Sequence, residues 1–334
     1  LRVSGNTTIE AEDRATARII AGSLSVSPAK LGVGFTLAVL IDEATVEAKV
    51  GGGADIETAN YTQRAFNKND FMVITIAAAV AHGSSGNALG GTVNVIVMDN
   101  HITAEFGDGA IDATGNVSIT AGSDNYLLLP SLSIAGAGGS AAIGGTFSVI
   151  IVNTETFAKI LAGADIDSDG SVILSAAAAD KLISVLGSVS AAPNGSAIGA
   201  ALSVLVINGK TKAQVENGVT IDAAGSISIT ADADAWLLIL GMAVAGSNTA
   251  SVGGTIIVNV FLREVEASVG EDAELTSSQG NILVQALAGE WTLIIGVALG
   301  ASSGTAGIAG VIPVIVSIND ILAKVGAGAE LTAG

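Results

Sequence analysis

Residues 115–121 read Gly-Asn-Val-Ser-Ile-Thr-Ala, and residues 225–231 read Gly-Ser-Ile-Ser-Ile-Thr-Ala. In both stretches two turn-forming residues are followed by apolar and polar side chains in strict alternation, which is the pattern of a β-strand with one buried face. The two stretches are separated by two periods of 55. The phrase therefore indicates a chain that is assembled from repeated strand-forming units.

Two kinds of position recur with this period. Isoleucine recurs at four of them, which are Ile56, Ile111, Ile166 and Ile221. A small turn residue or Asn opens each unit, as a turn ladder of Gly5, Asn60, Gly115, Gly170, Gly225 and Gly280. Such self-similarity indicates an array whose units bury apolar surface against their neighbours. We therefore expect a single repeat array over residues 1–334, with the repeats 5–59, 60–114, 115–169, 170–224, 225–279 and 280–334.

The third repeat shows the internal layout most clearly. Four strand-like segments, 117–121, 126–137, 141–152 and 157–166, are separated by a polar corner at 122–125, a small-residue turn at 138–140 and Asn153. Identical positions in successive repeats should stack in register. The predicted fold class is all-β, a repetitive β-solenoid that resembles a parallel β-helix. The spacing leaves open whether each repeat forms one wide coil or two ordinary coils.

Long uncharged stretches form a second periodic feature. Asp, Glu, Lys and Arg are absent from residues 71–98, 125–154, 182–209, 235–262 and 291–319. Turn residues interrupt each stretch near its middle, and the resulting halves are too short for a membrane-spanning helix but suit strands. Strands that are apolar on both faces are ordinarily buried on both. We expect either a second layer of the same repeat or a neighbouring copy of the chain to cover them, which predicts self-association.

The composition restricts the class of partner. Thirteen Lys and Arg against 31 Asp and Glu give a formal net charge of −18, and the chain contains no Cys. Nucleic acid and anionic lipid surfaces require a basic face, and no basic cluster is present in the sequence. We therefore expect no nucleic-acid partner. Without Cys, neither a disulfide framework nor a thiolate metal site can form.

Aromatic residues recur at one station of the repeat. Only 3% of the residues are aromatic, yet four of the six positions that lie eleven places after the turn ladder are aromatic, namely Phe71, Tyr126, Trp236 and Trp291. This pattern predicts a partial aromatic ladder at one corner of the coil. Two interpretations stay open: a bulky plug of the corner, or a platform on which a ligand stacks.

Chemistry-bearing motifs are scarce. Only two histidines occur, His82 and His101, and neither recurs in another repeat. No Ser-His-Asp arrangement, phosphate-binding loop or zinc spacing can be assembled. Paired carboxylates of the kind that cleave glycosides would require a nonrepeated acidic cluster. We therefore expect no enzymatic activity and no catalytic residue.

One segment matches the first half of a calcium loop. Asp165, Asp167 and Asp169 alternate with other residues and are followed by Gly170, although the Glu expected at the twelfth position is Ala176. The alternatives are a solvated acidic turn and an accessory Ca²⁺ site. No other cofactor is expected.

The recurring phrase supports a resemblance. Gly-x-Val/Ile-x-Ile-x-Ala in 115–121 and 225–231 is followed by an apolar stretch and then by the alternating segment 158–166. This layout resembles the repeat region of large secreted bacterial exoproteins of the filamentous haemagglutinin and leukotoxin type. The resemblance implies an exported β-solenoid that serves adhesion, surface coating or filament building, at an extracellular or bacterial cell-surface location.

These observations lead to three functional hypotheses. The first is a structural extracellular β-solenoid that associates with itself into a fibre, filament or coat. The second is an adhesin-type binding module that displays a surface for a cell-surface glycan or protein. The third is a membrane-inserted or pore-forming β protein. Residues 273–276 and 329–332 both read Ala-Glu-Leu-Thr, so we also expect a window from a longer repetitive polypeptide or a subunit that continues head to tail.

Overall fold

The computed structural model describes residues 1–28 and 30–334. Each coil consists of two long strands and one short strand, and strands are numbered β1 to β18 along the chain. The first long strands have 21 residues each: β1 Thr7–Ser27, β4 Tyr61–Ala81, β7 Val117–Ala137, β10 Val172–Ala192, β13 Ile227–Ser247 and β16 Ile282–Ser302. The second long strands have 20 residues each: β2 Leu31–Val50, β5 Asn87–Phe106, β8 Ala141–Ile160, β11 Ser196–Val215, β14 Ala250–Val269 and β17 Ala306–Val325.

The short strands have four residues each: β3 Asp55–Thr58, β6 Ala110–Ala113, β9 Asp165–Ser168, β12 Thr220–Ala223, β15 Glu274–Ser277 and β18 Glu330–Ala333. Equivalent strands of successive coils pair in parallel, and this pairing produces three six-stranded sheets. We call them the first sheet (β1, β4, β7, β10, β13 and β16), the second sheet (β2, β5, β8, β11, β14 and β17) and the short sheet (β3, β6, β9, β12, β15 and β18). The all-β solenoid is confirmed, and each repeat forms one wide coil.

The predicted corner at 122–125 is not a corner, and the predicted end of a segment at Asn153 is not the end of a strand. The segments 117–121 and 126–137 belong to one strand, β7, and Asn153 lies within β8. The polar run 122–125 stays extended because the coil provides for each side chain. Gly122 leaves room for the ring of Phe66 in the preceding coil, and Asn125 points inward and donates a hydrogen bond to Asp180 Oδ1 at 2.8 Å. Each coil therefore has three strands instead of the four expected.

The interior narrows from one end of the coil to the other. Beside the short sheet, the core contains large side chains such as Tyr61, Phe106 and Ile111. The opposite end, at the turn between the two long strands, has a core of alanine alone, which includes Ala79, Ala88 and Ala135. We call this turn the tip. Stacked sheets lie about 10 Å apart when ordinary side chains separate them. Because only alanine separates the two long sheets at the tip, they lie closer together there.

Glycines on the inward face of the second sheet also show that the two long sheets lie close together near the tip. A Cβ added at Gly199 would lie 2.7 Å from the backbone oxygen of Val244, and one at Gly253 would lie 2.5 Å from that of Leu299. Large side chains cannot enter this end of the coil. Bulky residues of the tip must therefore face outward.

The turn ladder needs one correction, because the period is not strict at the second repeat. Thr7 pairs with Tyr61, and Tyr61 pairs with Val117, so β4 begins one position earlier than a period of 55 would place it. Asn60 therefore does not align with Gly5 and Gly115; it aligns with the position that follows each of them. That position forms its own ladder of Asn and Ser side chains, whose members are Asn6, Asn60, Asn116, Ser171, Ser226 and Asn281.

The side chain of every member except the last accepts a hydrogen bond from the coil that follows it. Asn60 Oδ1 accepts from the backbone N–H of Asn116 at 2.9 Å, and Asn116 Oδ1 accepts from that of Ser171 at 2.8 Å. These oxygens occupy the space that a Cβ would take at the adjoining residue. At Gly170, an added Cβ would lie 2.5 Å from Asn116 Oδ1. The ladder therefore explains the glycine before Asn116, Ser171, Ser226 and Asn281, whereas Ala59 precedes Asn60.

Gly170→Ala is expected to destabilise the fold by about 1–3 kcal/mol, the usual magnitude of overpacking. Gly5→Ala is the matched control, since an added Cβ at Gly5 meets nothing within 4 Å. Chemical denaturation followed by circular dichroism measures both free energies of unfolding. Equal stability of the two variants would refute the role assigned to the Asn and Ser ladder.

Candidate functional site

The uncharged stretches form one half of the second to sixth coils, which we call the tip half; the remainder is the base half. The first coil has a similar division except for Lys30 at its tip turn. Side chains on the outer faces of the tip half are large, apolar and partly exposed. On the second sheet Ile143 is 41% exposed and Phe147 is 36% exposed, and on the first sheet Met242 is 42% exposed. No other part of the described chain forms a layer over these faces. The cover that the sequence predicted is thus not supplied within the described residues.

Each apolar face is large. About ten residues of each strand, at roughly 3.3 Å per residue, and six strands about 4.8 Å apart give a face of roughly 35 by 25 Å, or about 900 Å². The largest apolar patch on a typical monomer measures roughly 300–600 Å². Two such faces lie on opposite sides of the same thin slab. The apolar surface of this chain therefore exceeds that of an ordinary soluble domain.

In the second to sixth coils the charged residues lie in the base half, where they link successive coils. Arg64 pairs with Glu10 at 2.5 Å, Lys68 with Asp124 at 3.3 Å, and Lys210 with Glu155 at 2.9 Å. His101 lies next to the last of these pairs, with Nδ1 3.1 Å from Glu155 Oε2. Because these pairs are solvent-exposed, each contributes little to stability on its own. Their effect is to divide the coil lengthwise into a charged half and an apolar half.

The aromatic positions lie at this division and not at a corner. Tyr126, Lys181, Trp236 and Trp291 occupy one row on the outer face of the first sheet. The rings of Trp236 and Trp291 stack at 4.7 Å with an interplanar angle of 9°. Lys181 Nζ lies 5.8 Å from the ring centroid of Tyr126 and 5.2 Å from that of Trp236. Both distances are within the range of a cation–π interaction.

Phe71 does not belong to this row, which corrects the predicted ladder. It pairs with Leu127, one position further along than Tyr126. Its side chain is buried in a third apolar cluster, between the cores of the base and the tip, which we call the central core. The cause is the one-residue offset at the start of β4. Since successive side chains of a strand point to opposite faces, a shift of one residue moves Phe71 from the outer to the inner face.

The outer face of the first sheet contains an apolar groove of about 510 Å³. Leu132, Gly187 and Met242 are among its lining residues and lie in one row across three neighbouring coils. The groove arises because a glycine stands between two long side chains. It belongs to the apolar face, and none of its lining residues is charged.

The inner face of the tip half is not wholly apolar. Thr75 Oγ1 donates a hydrogen bond to Ser131 Oγ at 3.0 Å, and Asn94 Nδ2 donates to the same oxygen at 2.8 Å. Nearer the base, large side chains such as Leu129 and Ile150 fill the interior of this half. Next to the tip turn, the slab has small and hydroxyl-bearing residues inside and large apolar residues outside. This arrangement reverses the usual order of a globular protein.

A layer of polar side chains crosses the interior between the central core and the base. Asn125 Oδ1 accepts a hydrogen bond from Asn69 Nδ2 at 3.0 Å, and Asn125 Nδ2 donates to Asp180. In the following coils Arg263 Nη1 donates to the backbone oxygens of Ala233 and Gly289 at 3.0 and 2.9 Å. These hydrogen bonds satisfy polar groups that would otherwise destabilise the interior.

Asp180 is the perturbed carboxylate of this layer. Burial raises the pKa of Asp180 to about 6, while the hydrogen bond from Asn125 and the charge of Arg263 act in the opposite direction. In the third coil, Asn125 faces Thr154 on the opposite sheet. In the next coil, Gly209 occupies the position of Thr154, so Asp180 faces a residue without a side chain. The gap leaves the carboxylate partly accessible.

The acidic triplet lies on the outer side of the short sheet. Asp165 and Asp167 belong to the extended strand β9, and Asp169 follows it. Burial and the neighbouring carboxylates, among them Asp112 and Asp222, raise the pKa of Asp167. The described residues contain no group of three or more His, Cys, Asp or Glu placed to hold a metal ion. The Ca²⁺ site stays a prediction.

Within the described residues, no helix is long and apolar enough to cross a membrane. Comparison with family models, with curated proteins and with solved structures found no match to this chain. The assignment of a function therefore rests on the geometry of the molecule itself.

Replacement of Asp180 by Asn tests the interior layer. Asn125 and Asn69 occupy the same station in the two preceding coils, so Asn fits there. A carboxylate whose folded pKa is raised is penalised above that pKa and relieved below its ordinary value. Asp180→Asn should therefore exceed the wild type in stability at pH 7.5 by about 2 kcal/mol and match it near pH 4.

Denaturation midpoints at the two pH values measure this difference, with the exposed Asp320→Asn as the control. A constant difference between Asp180→Asn and wild type across this range would show that Asp180 does not titrate as described.

Proposed function

We propose that this chain is a structural, extracellular β-solenoid that associates with copies of itself through the apolar faces of its tip half. The observation that carries the proposal is the pair of exposed apolar faces, each of roughly 900 Å². A standard protein–protein interface buries about 800 Å² per partner, so one face suffices for a stable contact. Two faces on opposite sides of one slab allow each copy to bind two others, which leads to an open-ended assembly.

The form of the faces supports this interpretation over a site for a small ligand. The surface is flat and repeats with each coil, whereas ligand sites are concave and converge a few polar groups on one point. The charged base half keeps the assembly hydrated. The resemblance of the repeats to bacterial exoproteins supports the extracellular location, and the cysteine-free composition agrees with it.

Lysine substitutions on the second sheet test the proposal. Leu202→Lys and Val204→Lys together place two charges on an outward apolar surface without entering the core. An unpaired charge is strongly unfavourable in a desolvated contact, so the dissociation constant should rise about ten-fold or more. Sedimentation velocity over a concentration series measures this change.

Ser118→Lys with Gln214→Lys is the control, since both residues lie on outward positions of the base half. Its association should equal that of the wild type. A wild-type chain that remains monomeric at high concentration would overturn self-association.

A second candidate function is insertion into a membrane, and the row of Tyr126, Trp236 and Trp291 favours it. Trp and Tyr are enriched at membrane–water interfaces. Their row borders an apolar band of roughly 35 Å, which is close to the roughly 30 Å of a bilayer hydrocarbon core. The band is level on both sheets, because Tyr126 and Asn153 lie at nearly the same distance along the chain from the tip turn at 138–140.

Flotation with neutral phosphatidylcholine vesicles tests this candidate. Insertion predicts that the protein rises with the vesicles and that lipids brominated near the headgroup quench Trp236 and Trp291 more than lipids brominated at the chain end. Protein that stays in the dense fraction would exclude the membrane function. The Leu202→Lys and Val204→Lys variant should float less than the wild type, since insertion requires the same face, and the Ser118→Lys and Gln214→Lys variant is the matched control.

A further inference from the structure

The outer face of the second sheet has a regular relief along the solenoid axis. One row consists of glycine or alanine in five coils, in the order Gly91, Gly145, Ala200, Gly254 and Gly310. The row nearer the tip carries the branched residues Leu89, Ile143, Ile198, Val252 and Ile308. The row nearer the base carries the bulky residues Val93, Phe147, Leu202, Ile256 and Ile312. A groove therefore runs between two apolar ridges over these five coils and ends at Phe35, which occupies the same row in the first coil.

The fold itself does not require the groove. An added Cβ at Gly145, Gly254 or Gly310 would meet nothing within 4 Å, and none of these glycines has a positive φ. The inward glycines one position earlier differ, since a Cβ there would strike the opposite sheet. Glycine within a strand often marks close approach by another chain. The area of the apolar face already matches that of a stable protein–protein contact. The groove adds a preferred register for the chain that binds there.

The apolar span of this face has a centre. In β8 the outward residues from Ala141 to Ile151 are uncharged, and Thr146 lies midway between them. A two-fold axis along the row of Thr146, parallel to the solenoid axis, would bring the face of a second copy onto this face with the strands reversed. Each outward residue would then oppose the one at the same distance on the other side of Thr146.

The side chains are complementary in this arrangement. Gly145 opposes Phe147 and Ala141 opposes Ile151, so a small residue meets a large one in both pairs, while Ile143 opposes Val149. The same holds in the fifth coil, where Gly254 opposes Ile256. With the strands of the two copies in the same direction, the row of Phe147 would meet the same row of the other copy and the row of Gly145 would meet its own counterpart, which leaves clashes beside voids. The relief therefore selects the antiparallel arrangement.

We propose that a second copy of this chain binds the tip half of the second sheet about this two-fold axis, with the row of Phe147 of each copy seated in the glycine groove of the other copy. The inference rests on the proposed self-association and adds the face, the orientation and the register. The two tips point in opposite directions. The charged residues that follow the apolar span, such as Glu155, fall beyond the overlap and opposite the partner's polar tip turns. The overlap covers roughly 35 by 25 Å on each copy.

The first sheet is the less regular face. Its corresponding row alternates in size, with Leu132, Gly187 and Met242 in successive coils, and Pro130 interrupts the neighbouring row. A lipid surface would fill either face without regard to register. A rigid ridge fits only the second sheet, and for this reason we assign the ordered contact to that sheet.

A spin label on Asn208→Cys tests the orientation. The chain has no cysteine, so the label is unique, and Asn208 is exposed at the edge of the apolar span. Asn208 lies seven positions from Ala201, the counterpart of Thr146, so two labels should be about 45 Å apart in the antiparallel dimer. Copies with parallel strands would place them about 10–20 Å apart. Electron–electron double resonance distinguishes these values, and the short distance overturns the arrangement.

Substitutions in the groove test the register. Gly145→Val with Gly254→Val should weaken dimerisation at least about ten-fold in sedimentation. Phe147→Ala removes a ridge without risk of overpacking and should also weaken it. Gly246→Val is the matched control, because Gly246 lies in the first sheet and also has open space around its Cβ position. Circular dichroism verifies that each variant is folded.

The outcomes separate the two levels of the proposal. Wild-type protein that does not associate refutes the proposed function together with this inference, and flotation of such a monomer with vesicles would identify lipid as the occupant. Association that persists in the groove variants, or that fails only in Gly246→Val, overturns the arrangement and leaves self-association in place. The long label distance together with weakened groove variants supports the arrangement.

Discussion

Parallel, in-register pairing of equivalent strands is the constraint on which the rest of this structure depends. Every residue lies directly above and below its counterparts, at the spacing of about 4.8 Å between neighbouring strands. Each side chain must therefore be compatible with the side chains at the same position in the coils above and below it. Asn60, Asn116 and Ser171 meet this condition by hydrogen bonding from coil to coil, and Gly170 meets it by leaving space.

The thinness of the coil at its tip explains why the molecule has apolar outer faces. Alanine fills the interior there, and glycines such as Gly199 bring the two backbones together. Branched and aromatic residues cannot be accommodated between the sheets. They face outward, where within the described residues nothing of the same chain covers them. The exposed apolar faces and the thin interior are thus two results of one geometric condition. The charged base half, with its thicker core around Tyr61 and Phe106, is free of this condition.

Polar residues in the interior show that successive coils can have different side chains at the same inward position. Asn69, Asn125 and Asp180 succeed one another at one inward station, and the last brings a carboxylate into a layer of amides. The cost is visible in its raised pKa. Arg263 enters the layer further along the stack and satisfies backbone oxygens. These substitutions lie in the interior between the central core and the base, where several coils supply partners.

The pattern of the sequence sufficed for much of the fold because the interactions involved are repetitive. Recurrence with a period of 55 and alternation in 115–121 predicted parallel stacking, and the uncharged stretches predicted apolar strands that meet at a turn. The expected corner at 122–125 was wrong, because inward partners for Asn125 come from β4 and β10 and are remote in sequence. Phe71 was assigned to the wrong face, since a single-residue offset before β4 cannot be seen when a strict period is counted.

By itself, then, the sequence determined the solenoid class, the unit length and the separation of charged from apolar segments, all of which follow from local alternation and from recurrence. Only the tertiary structure decided that each repeat forms one wide coil, that bulk is excluded from the tip and turned outward, and that a glycine groove lies between two ridges. These features depend on the distance between two sheets and on the register of neighbouring coils. Neither quantity is a property of any single segment of the chain.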